Sequence, residues 1–272
     1  MARISIQICN KDRHSELALL LQSLRTQTVQ DWDLVILDEN ETPISQNYFL
    51  SMLLNRIKLE GHCVNVIVNK LRLGVCHARN KLIKEDYFTS NNLILRIDDD
   101  VILESCYIEK LLRVIDAGYD IASGVTPVLG SPELIRSIDK VKPVINRKEF
   151  DAEGNLVVYN DDCGVCYDKE EILPADDFRS CALIKTEIFD KIKYRDNLSF
   201  VGFREEAFLS FEARALGYKI GIHTGAISFH LMTPVGGCRF PDYADKVKSD
   251  NEYFLKWVKE WKNKQQKQEE QK

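Results

Sequence analysis

Strand and helix signals alternate along the first 126 residues of the chain, and this alternation limits the fold more than any other feature of the sequence. A β-branched run from Arg3 to Cys9 is followed by leucines at positions 17, 20, 21 and 24, the spacing of one apolar helix face. The same order recurs, with strands expected at 34–37, 64–68, 93–97 and near 121, and helices at 48–57, 75–88 and 105–117. Because strands joined by helices need right-handed crossovers, we predict a doubly wound α/β unit with a mainly parallel sheet and helices on both faces.

The alternation stops after Pro127. From there to Arg179, turn formers and charged residues separate short strand-like pieces, which indicates an irregular inserted layer. Regular signals then return, as helices at 185–192 and 205–216 and as strands at 218–222 and 226–229.

The C-terminal segment carries aromatic and basic residues at helical spacing. Tyr253, Phe254, Trp257 and Trp261 are interleaved with lysines, so we expect an amphipathic helix. Such a helix can rest on a membrane surface or on a partner, or it can pack back on its own chain, which is the simpler interpretation. Beyond Lys262 the chain is polar throughout, and we expect this tail to fray.

Charge and hydropathy exclude several classes of protein. The net charge of −5, from 37 Lys and Arg against 42 Asp and Glu, disfavours sequence-independent binding to nucleic acid. No stretch approaches the roughly 18 apolar residues of a membrane span, and the first residues lack the layout of a secretory signal. We therefore expect a cytoplasmic protein with no nucleic-acid partner, and we interpret its 8 cysteines as reduced thiols.

Polar residues stand where three of the predicted strands end. Asn10 follows the first strand, Asp38 and Glu39 end the second, and three aspartates at 98–100 follow the fourth. In a doubly wound sheet, ligands bind outside the carboxyl ends of the strands. Acidic residues also end strands because they favour turns, so a single one such as Asp38 supports either interpretation.

The three adjacent aspartates are more informative. Asp98, Asp99 and Asp100 crowd like charges at the edge of the predicted sheet, which is costly unless a cation neutralises them. Alternate residues of an extended backbone face the same side, so Asp98 and Asp100 can share one ion while Asp99 points away. Carboxylate oxygens suit Mg²⁺ or Mn²⁺. The alternative is an acidic helix start favoured by the macrodipole.

Several common catalytic motifs are missing, because the chain contains no GxxxxGK[ST], GxGxxG, HExxH or GxSxG. Instead, four segments occur in a fixed order, namely Leu34–Asn40, Leu73–Asn80, Ile97–Val101 and Gly202–Glu206, the last followed by Leu216-Gly217-Tyr218. With these segments, and with His230 at the end of the last predicted strand, the chain resembles a family 2 glycosyltransferase of the GT-A fold. The resemblance spans residues 3–230.

The resemblance implies a GT-A fold, that is, a Rossmann-like mixed sheet with helices on both faces and a small antiparallel layer on the acceptor side. Residues 1–240 would form the catalytic domain, with a nucleotide-binding half at 1–126 and an acceptor-binding half at 127–240. Residues 241–272 would add the C-terminal helix and its polar tail.

For the donor, the resemblance implies an acidic pair that recognises the base of a UDP-type nucleotide, and either Asp38 or Glu39 can be the acid that meets the base. Arg72 would contact the base or the ribose. The other donor-binding candidates are Asn10, Arg79, Asp98, Asp99 and Glu205. Paired glycines at 236 and 237 would let the segment 230–239 close over the donor and bring Arg239 to the diphosphate, unless this segment is an ordinary turn with a solvated arginine.

For catalysis, the resemblance implies that Asp98, Asp100 and His230 hold Mn²⁺ or Mg²⁺ and that Glu206 is the catalytic base. We therefore expect a metal-dependent inverting transfer of sugar from a nucleotide diphosphate sugar, a UDP-sugar by this resemblance, to a hydroxyl of a saccharide, lipid-linked or protein acceptor. The C-terminal helix would allow a peripheral membrane contact. Two alternatives are a sugar-1-phosphate nucleotidyltransferase and a catalytically silent sugar-nucleotide binding module.

Overall fold

The computed structural model describes residues 4–86, 92–131, 135–140 and 144–269, the last six of them as backbone. Arg3 and Phe88, which end two of the predicted elements, lie outside these residues. The strands are β1 (Ile4–Asn10), β2 (Trp32–Asp38), β3 (Val64–Val68), β4 (Leu93–Ile97), β5 (Val101–Leu103), β6 (Ile121–Val125), β7 (Ile135–Arg136), β8 (Lys148–Phe150), β9 (Leu156–Tyr159), β10 (Cys166–Tyr167), β11 (Ile172–Pro174), β12 (Ala182–Lys185) and β13 (Ile220–His230). The α-helices are α1 (His14–Arg25), α2 (Tyr48–Leu59), α3 (Val75–Glu85), α4 (Tyr107–Asp116), α5 (Glu205–Ala215) and α6 (Tyr243–Glu269).

One mixed sheet of 9 strands organises the described chain, in the order β11-β13-β6-β12-β4-β1-β2-β3 with β5 added beside β13. Strands β1, β2, β3 and β4 pair in parallel, as the alternating pattern predicts. Strand β12 runs antiparallel between β4 and β6, and β11 runs antiparallel to β13. The predicted α/β class with a mixed GT-A-type sheet is therefore confirmed, and β8 and β9 add a separate antiparallel hairpin.

The hydrophobic core lies on both faces of this sheet. On one face, the leucines of α1 pack with the apolar sides of α2 and α4. On the other face, Ala78 and Leu82 of α3 cover β2, and Leu209 and Ala213 of α5 pack over β6 and β12. Helices therefore cover the sheet on both sides.

Three expectations for the second half were wrong in detail. The segment 185–192 is not an α-helix: Lys185 ends strand β12, and a short 3-10 helix, Thr186–Asp190, follows. The two short strands expected at 218–222 and 226–229 are one strand, β13, whose pairing with β6 shifts register between Ile222 and Ile227. The polar tail continues α6 to Glu269.

The aromatic side of α6 packs back on the chain. Phe254 and Val258 are buried against Phe208 of α5, and the Phe254 and Phe208 rings meet edge to face with centroids 4.9 Å apart. Trp257 and Trp261 contact α5 in the same way, through Phe211. The simpler interpretation of the C-terminal helix therefore describes this structure. Among the described residues, no helix combines the length and apolar character needed to cross a bilayer.

Candidate active site

A cleft of about 630 Å³ opens at the carboxyl ends of β1, β2 and β4. It is bounded on the other side by the start of α5, the end of β13 and the hairpin β8–β9. The cleft therefore lies between the halves predicted at 1–126 and 127–240, and it collects most of the polar residues singled out in the sequence.

Asp98, Asp100 and His230 meet on one wall of this cleft. The antiparallel pairing of β5 with β13 sets His230 opposite Val101, next to Asp100. As a result, one potential ligand atom from each of the three side chains lies within 4.8 Å of the others. Asp98 and Asp100 lie in the turn between β4 and β5, so two residues two positions apart and one far away in sequence form a single cluster.

Asp100 has the character of a cation ligand. It is 2% exposed, and its Oδ2 accepts no hydrogen bond, although Arg13 Nη1 lies 3.1 Å away. His230 Nε2 lies 3.4 Å from Asp100 Oδ1. Burial raises the pKa of Asp100, against the opposing charges of His230 and Arg13. A buried, incompletely bonded carboxylate beside an imidazole and a second acid is a donor set that fits a hard divalent cation.

Asp99 is not part of the cation cluster, and because residues 99 and 100 form a turn, this separation does not come from strand alternation. Its carboxylate accepts hydrogen bonds from Arg13 Nη1 at 2.9 Å and from Asn10 Nδ2 at 2.8 Å. Burial raises its pKa to about 7, although the charge of Arg13 opposes this. Asn10 is itself 1% exposed, and its Oδ1 accepts a bond from Asn40. Asn10 and Asp99 thus support the floor of the cleft.

Two buried arginines organise the acidic residues. Arg96, 2% exposed in the middle of β4, donates from Nη2 to Glu205 Oε1 at 2.6 Å and to Glu206 Oε1 at 3.0 Å. Arg79 donates to Asp98 Oδ1 at 2.5 Å and to the carbonyl of Ile97. Although burial favours the neutral acid, Arg96 and Arg79 hold the pKa of Asp98 below its usual value. Arg79, a donor-binding candidate in the sequence, thus contacts Asp98 directly.

Arg96 is not among the site residues predicted from the sequence, although the sequence contains an indication of its role. It is a charged residue inside an otherwise apolar strand run, Leu93–Ile97, two positions before the first aspartate. A buried guanidinium needs anionic partners, and these are supplied by α5 more than a hundred positions away.

Glu205 and Glu206 differ in their access to the cleft. The Glu205 side chain is 5% exposed, whereas that of Glu206 is 24% exposed. Burial raises the pKa of Glu205 to about 7, although Arg96 opposes this. Glu205 therefore lies beneath the surface between two arginines, and Glu206 is the carboxylate of the pair that a substrate can reach.

The loop before α5 is held by the C-terminal helix. Asp250 is 2% exposed and accepts hydrogen bonds from the Ser199 N–H at 2.6 Å, the Ser199 hydroxyl at 2.7 Å and the Phe203 N–H at 2.9 Å. The backbone of Arg204 has φ 75°, a left-handed conformation that is unfavourable for a residue with a Cβ. Asp250 was not among the predicted residues, because a single acid on an amphipathic helix carries no distinguishing signal.

The two acids at the end of β2, Asp38 and Glu39, lie in different environments. Asp38 is fully buried, and its carboxylate accepts bonds from the N–H groups of Asn40 and Ile44, so it does not face the cleft. Glu39 does line the cleft and accepts from Asn69 Nδ2 at 2.8 Å and from Arg72 Nε at 3.2 Å. Of the two acids, Glu39 is the one a bound molecule can contact.

The segment that carries Gly236 and Gly237 lies over Arg13. A Cβ at Gly236 would come within 2.8 Å of the Asp12 carbonyl oxygen, which explains the glycine there. Arg72 donates to the Gly237 carbonyl at 2.6 Å. Arg239 lines the cleft, with its guanidinium 4.5 Å from the Tyr243 ring centre.

Comparisons with known proteins complete this description. The family model described as Glycosyl transferase family 2 matches residues 5–192. No curated protein sequence matches the chain.

Three solved structures are similar in fold. GalNAc-T7 with UDP, GalNAc and Mn²⁺ has a TM-score of 0.65 at 16% identity, covering 85% of this chain and 44% of its own. TarS 1-349 of S. aureus in complex with UDP has a TM-score of 0.57 at 13% identity, covering 85% and 61%. The mannosyltransferase PcManGT of Pyrobaculum calidifontis with GDP-Man and Mn²⁺ has a TM-score of 0.57 at 10% identity, covering 85% and 57%. This chain thus spans between 44% and 61% of the length of these proteins.

Proposed function

Because the chain belongs to glycosyl transferase family 2, we propose that it is a metal-dependent inverting glycosyltransferase that moves a sugar from a nucleotide diphosphate sugar to an acceptor hydroxyl. One observation carries this proposal: a cation-type cluster and an accessible carboxylate share a single cleft. The cluster is Asp98, Asp100 and His230, and the carboxylate is Glu206.

The cluster would hold Mn²⁺ or Mg²⁺ through its two carboxylates and imidazole. The buried and incompletely bonded Asp100 Oδ2 supports this assignment. When bound, such an ion supplies positive charge to the diphosphate leaving group, so the leaving group needs no proton. Arg239 also lines the cleft, in the segment that follows His230, and it would add a second cation for the diphosphate.

The nucleotide would lie along the ends of β1, β2 and β4. Glu39 and Arg72 are the candidates for contact with the base or ribose, because both line the cleft and pair with each other. Asp38 would act indirectly, by holding the turn that carries Glu39 and Asn40. Asn10, Arg79 and Asp99 would position Asp98 and the floor beneath the donor.

Glu206 would be the general base. Its carboxylate would take the proton of the acceptor hydroxyl as that oxygen bonds to the anomeric carbon and the bond to the diphosphate oxygen breaks, which inverts the configuration. Arg96 would orient Glu206 from below, and Glu205 would complete the ion pair. A general base of this kind contributes typically about 10²- to 10⁴-fold to the rate.

We propose a UDP-sugar as the donor, and a GDP-sugar is the second candidate. Structures of similar fold contain UDP in GalNAc-T7 and TarS and GDP-Man in PcManGT. The acceptor would be a saccharide, free, lipid-linked or on a protein.

Two other functions predict different products. A sugar-1-phosphate nucleotidyltransferase would release pyrophosphate, and a silent module would bind the donor without turnover. The glycine-rich phosphate loop expected of the nucleotidyltransferase is missing after β1, where the sequence is Asn10-Lys11-Asp12. The accessible Glu206 favours catalysis over binding alone.

The test is to incubate the protein with UDP- and GDP-sugars, with and without Mn²⁺, and to follow release of free nucleoside diphosphate. We expect slow Mn²⁺-dependent hydrolysis of one donor class. In Asp100→Asn, addition of Mn²⁺ should no longer increase the rate of hydrolysis. Asp116→Asn, an exposed acid at the end of α4, is the matched control and should behave as wild type. Pyrophosphate formed from UTP and a sugar phosphate, or donor binding with no release, would refute the proposal.

A further inference from the structure

Most lysine and arginine side chains that line the cleft already have an acidic partner. These ion-paired residues are Lys11, Arg13, Arg72, Arg79, Arg96, Lys148 and Arg179. Arg204 and Arg239 also line the cleft, and neither forms an ion pair with any residue that the structure describes. A cation held in a cleft without an acid retains its charge for a bound anion.

The two unpaired arginines occupy different parts of the cleft. Arg239 belongs to the segment after β13, the strand that supplies His230 to the cation cluster. Arg204 directly precedes Glu205 and Glu206 at the start of α5. Arg239 is therefore on the donor side, and Arg204 lies beside the carboxylate that faces the acceptor.

Neutral groups hold the Arg204 side chain in place. Its Nε donates to Asn251 Oδ1 of α6 at 3.0 Å. Its guanidinium lies 5.2 Å from the ring centre of Tyr159 and 4.8 Å from that of Phe203. Its Nη1 also donates to the Tyr159 hydroxyl at 3.5 Å. These aromatic and neutral polar contacts hold the guanidinium without neutralising it, and they leave further N–H donors for a planar or tetrahedral oxyanion.

Tyr159 extends this surface. It lies on the antiparallel hairpin, is 47% exposed, and has the ammonium of Lys148 at 5.3 Å from its ring centre as well as Arg204. The Lys148 charge is satisfied by Asp177 at 2.5 Å, so Arg204 is the unpaired cation of the two. An exposed ring next to a fixed guanidinium fits a sugar or polyol that carries an acidic group.

We propose that Arg204, supported by Tyr159 and Phe203, binds an anionic group on the acceptor, a phosphate or a carboxylate. This inference rests on the proposed function, because it takes the side of Glu206 as the acceptor side. It narrows the acceptor to an anionic saccharide or a polyol phosphate. Without such a cation, Glu205 and Glu206 would repel an acceptor of this charge.

The test compares charged and neutral probes on the same protein. Binding of glycerol 3-phosphate and glucuronate is measured against glycerol and glucose by NMR titration, observing the arginine Nε–H signals, with and without UDP and Mn²⁺. We expect each anionic probe to bind at least about five-fold more tightly than its neutral analogue. Arg204→Gln should abolish this preference, Arg204→Lys should keep part of it, and Arg113→Gln, an exposed arginine of α4, should leave it unchanged.

Two results would overturn the proposal. One is an equal affinity of wild type for charged and neutral probes. The other is an Arg204→Gln variant that binds UDP and Mn²⁺ several-fold more weakly than wild type, which would assign Arg204 to the donor. Failure of the protein to bind any nucleoside diphosphate would count against the proposed function alone, because the probe titrations without UDP still report on Arg204.

Discussion

The proposed donor side and the proposed acceptor side of the cleft are built in different ways. On the donor side, Asn10 ends β1, and Glu39 and Asp98 directly follow β2 and β4. Strands β1 and β2 pair in a register that sets Asn10 beside Asp38. On the acceptor side, Glu206 and Arg204 start a helix, and side chains from distant segments hold them. Sheet topology fixes the first group of residues, and tertiary contacts fix the second.

This difference bears on how each side can change. A residue at the end of a buried parallel strand keeps its place as long as the strand pairs. The start of α5, by contrast, depends on Asp250 and Asn251 of α6 and on Arg96 of β4. We therefore expect substitutions on the acceptor side to alter turnover more readily than donor binding, and the three predictions below test this separation.

The largest effect is expected for Glu206→Gln. The amide keeps the size of the side chain and can still contact Arg96, but it cannot take a proton. We expect sugar transfer, or donor hydrolysis where no acceptor is present, to fall by about 10²- to 10⁴-fold. The affinity for UDP with Mn²⁺, measured by calorimetry, should remain within about two-fold of wild type. An equal loss of turnover and of UDP affinity would contradict the separation between the two sides.

A smaller effect is expected for Asp250→Asn. The amide cannot accept all three hydrogen bonds from Ser199 and Phe203, so the loop before α5 should shift. Because a displacement of about 1 Å can reduce a rate by about 10²-fold, we expect turnover per folded molecule to fall by that order while UDP affinity is unchanged.

The control for Asp250→Asn is Asp245→Asn, an exposed acid in the first turn of the same helix. It should retain wild-type turnover. A purely structural role for Asp250 would lower the melting temperature and leave the turnover number of the folded fraction unchanged, so kinetics and thermal unfolding are measured on the same samples.

The smallest effect concerns Glu205, where the two sides meet. Its pKa is raised from 4.5 to about 7, so the folded state binds more protons than the unfolded state between these pH values. The resulting stability is complete below pH 4.5 and is lost as the pH rises through about 7, by at most about 1.4 kcal/mol per pH unit. Without divalent cations, the melting temperature of Glu205→Gln should therefore decrease less over this range than that of wild type.

Asp99, whose pKa is also raised to about 7, should preserve part of the pH dependence in Glu205→Gln. Parallel melting-temperature profiles for wild type and variant would show that Glu205 does not titrate in this range. In that case Glu205 would be ionised and paired with Arg96 at every pH studied.

Much of the site was predictable from the sequence on the donor side. The sequence placed the three aspartates at the carboxyl end of β4, because the end of an apolar strand run is a local signal. The same reasoning did not distinguish Asp38 from Glu39. That difference arises because the turn after β2 folds back, so the N–H groups of Asn40 and Ile44 bind the Asp38 carboxylate.

The sequence indicated His230 on the donor side and Glu206 on the acceptor side only through the order of motifs. Arg96 was visible as a charge in an apolar strand, but its partners were not, since they lie on α5. Asp250 and Asn251 had no local signal at all, and their roles depend on how α6 packs on α5.

The sequence by itself determined the α/β class, the run of parallel strands and the cluster of acids at their ends, because hydrophobic periodicity and side-chain alternation act over a few residues. The tertiary structure alone decided that Glu206 is more exposed in the cleft than Glu205, that Asp38 is buried, and that Arg204 stands without an acidic partner among the described residues. Those outcomes depend on burial and charge pairing between segments far apart in the chain, which no local pattern encodes.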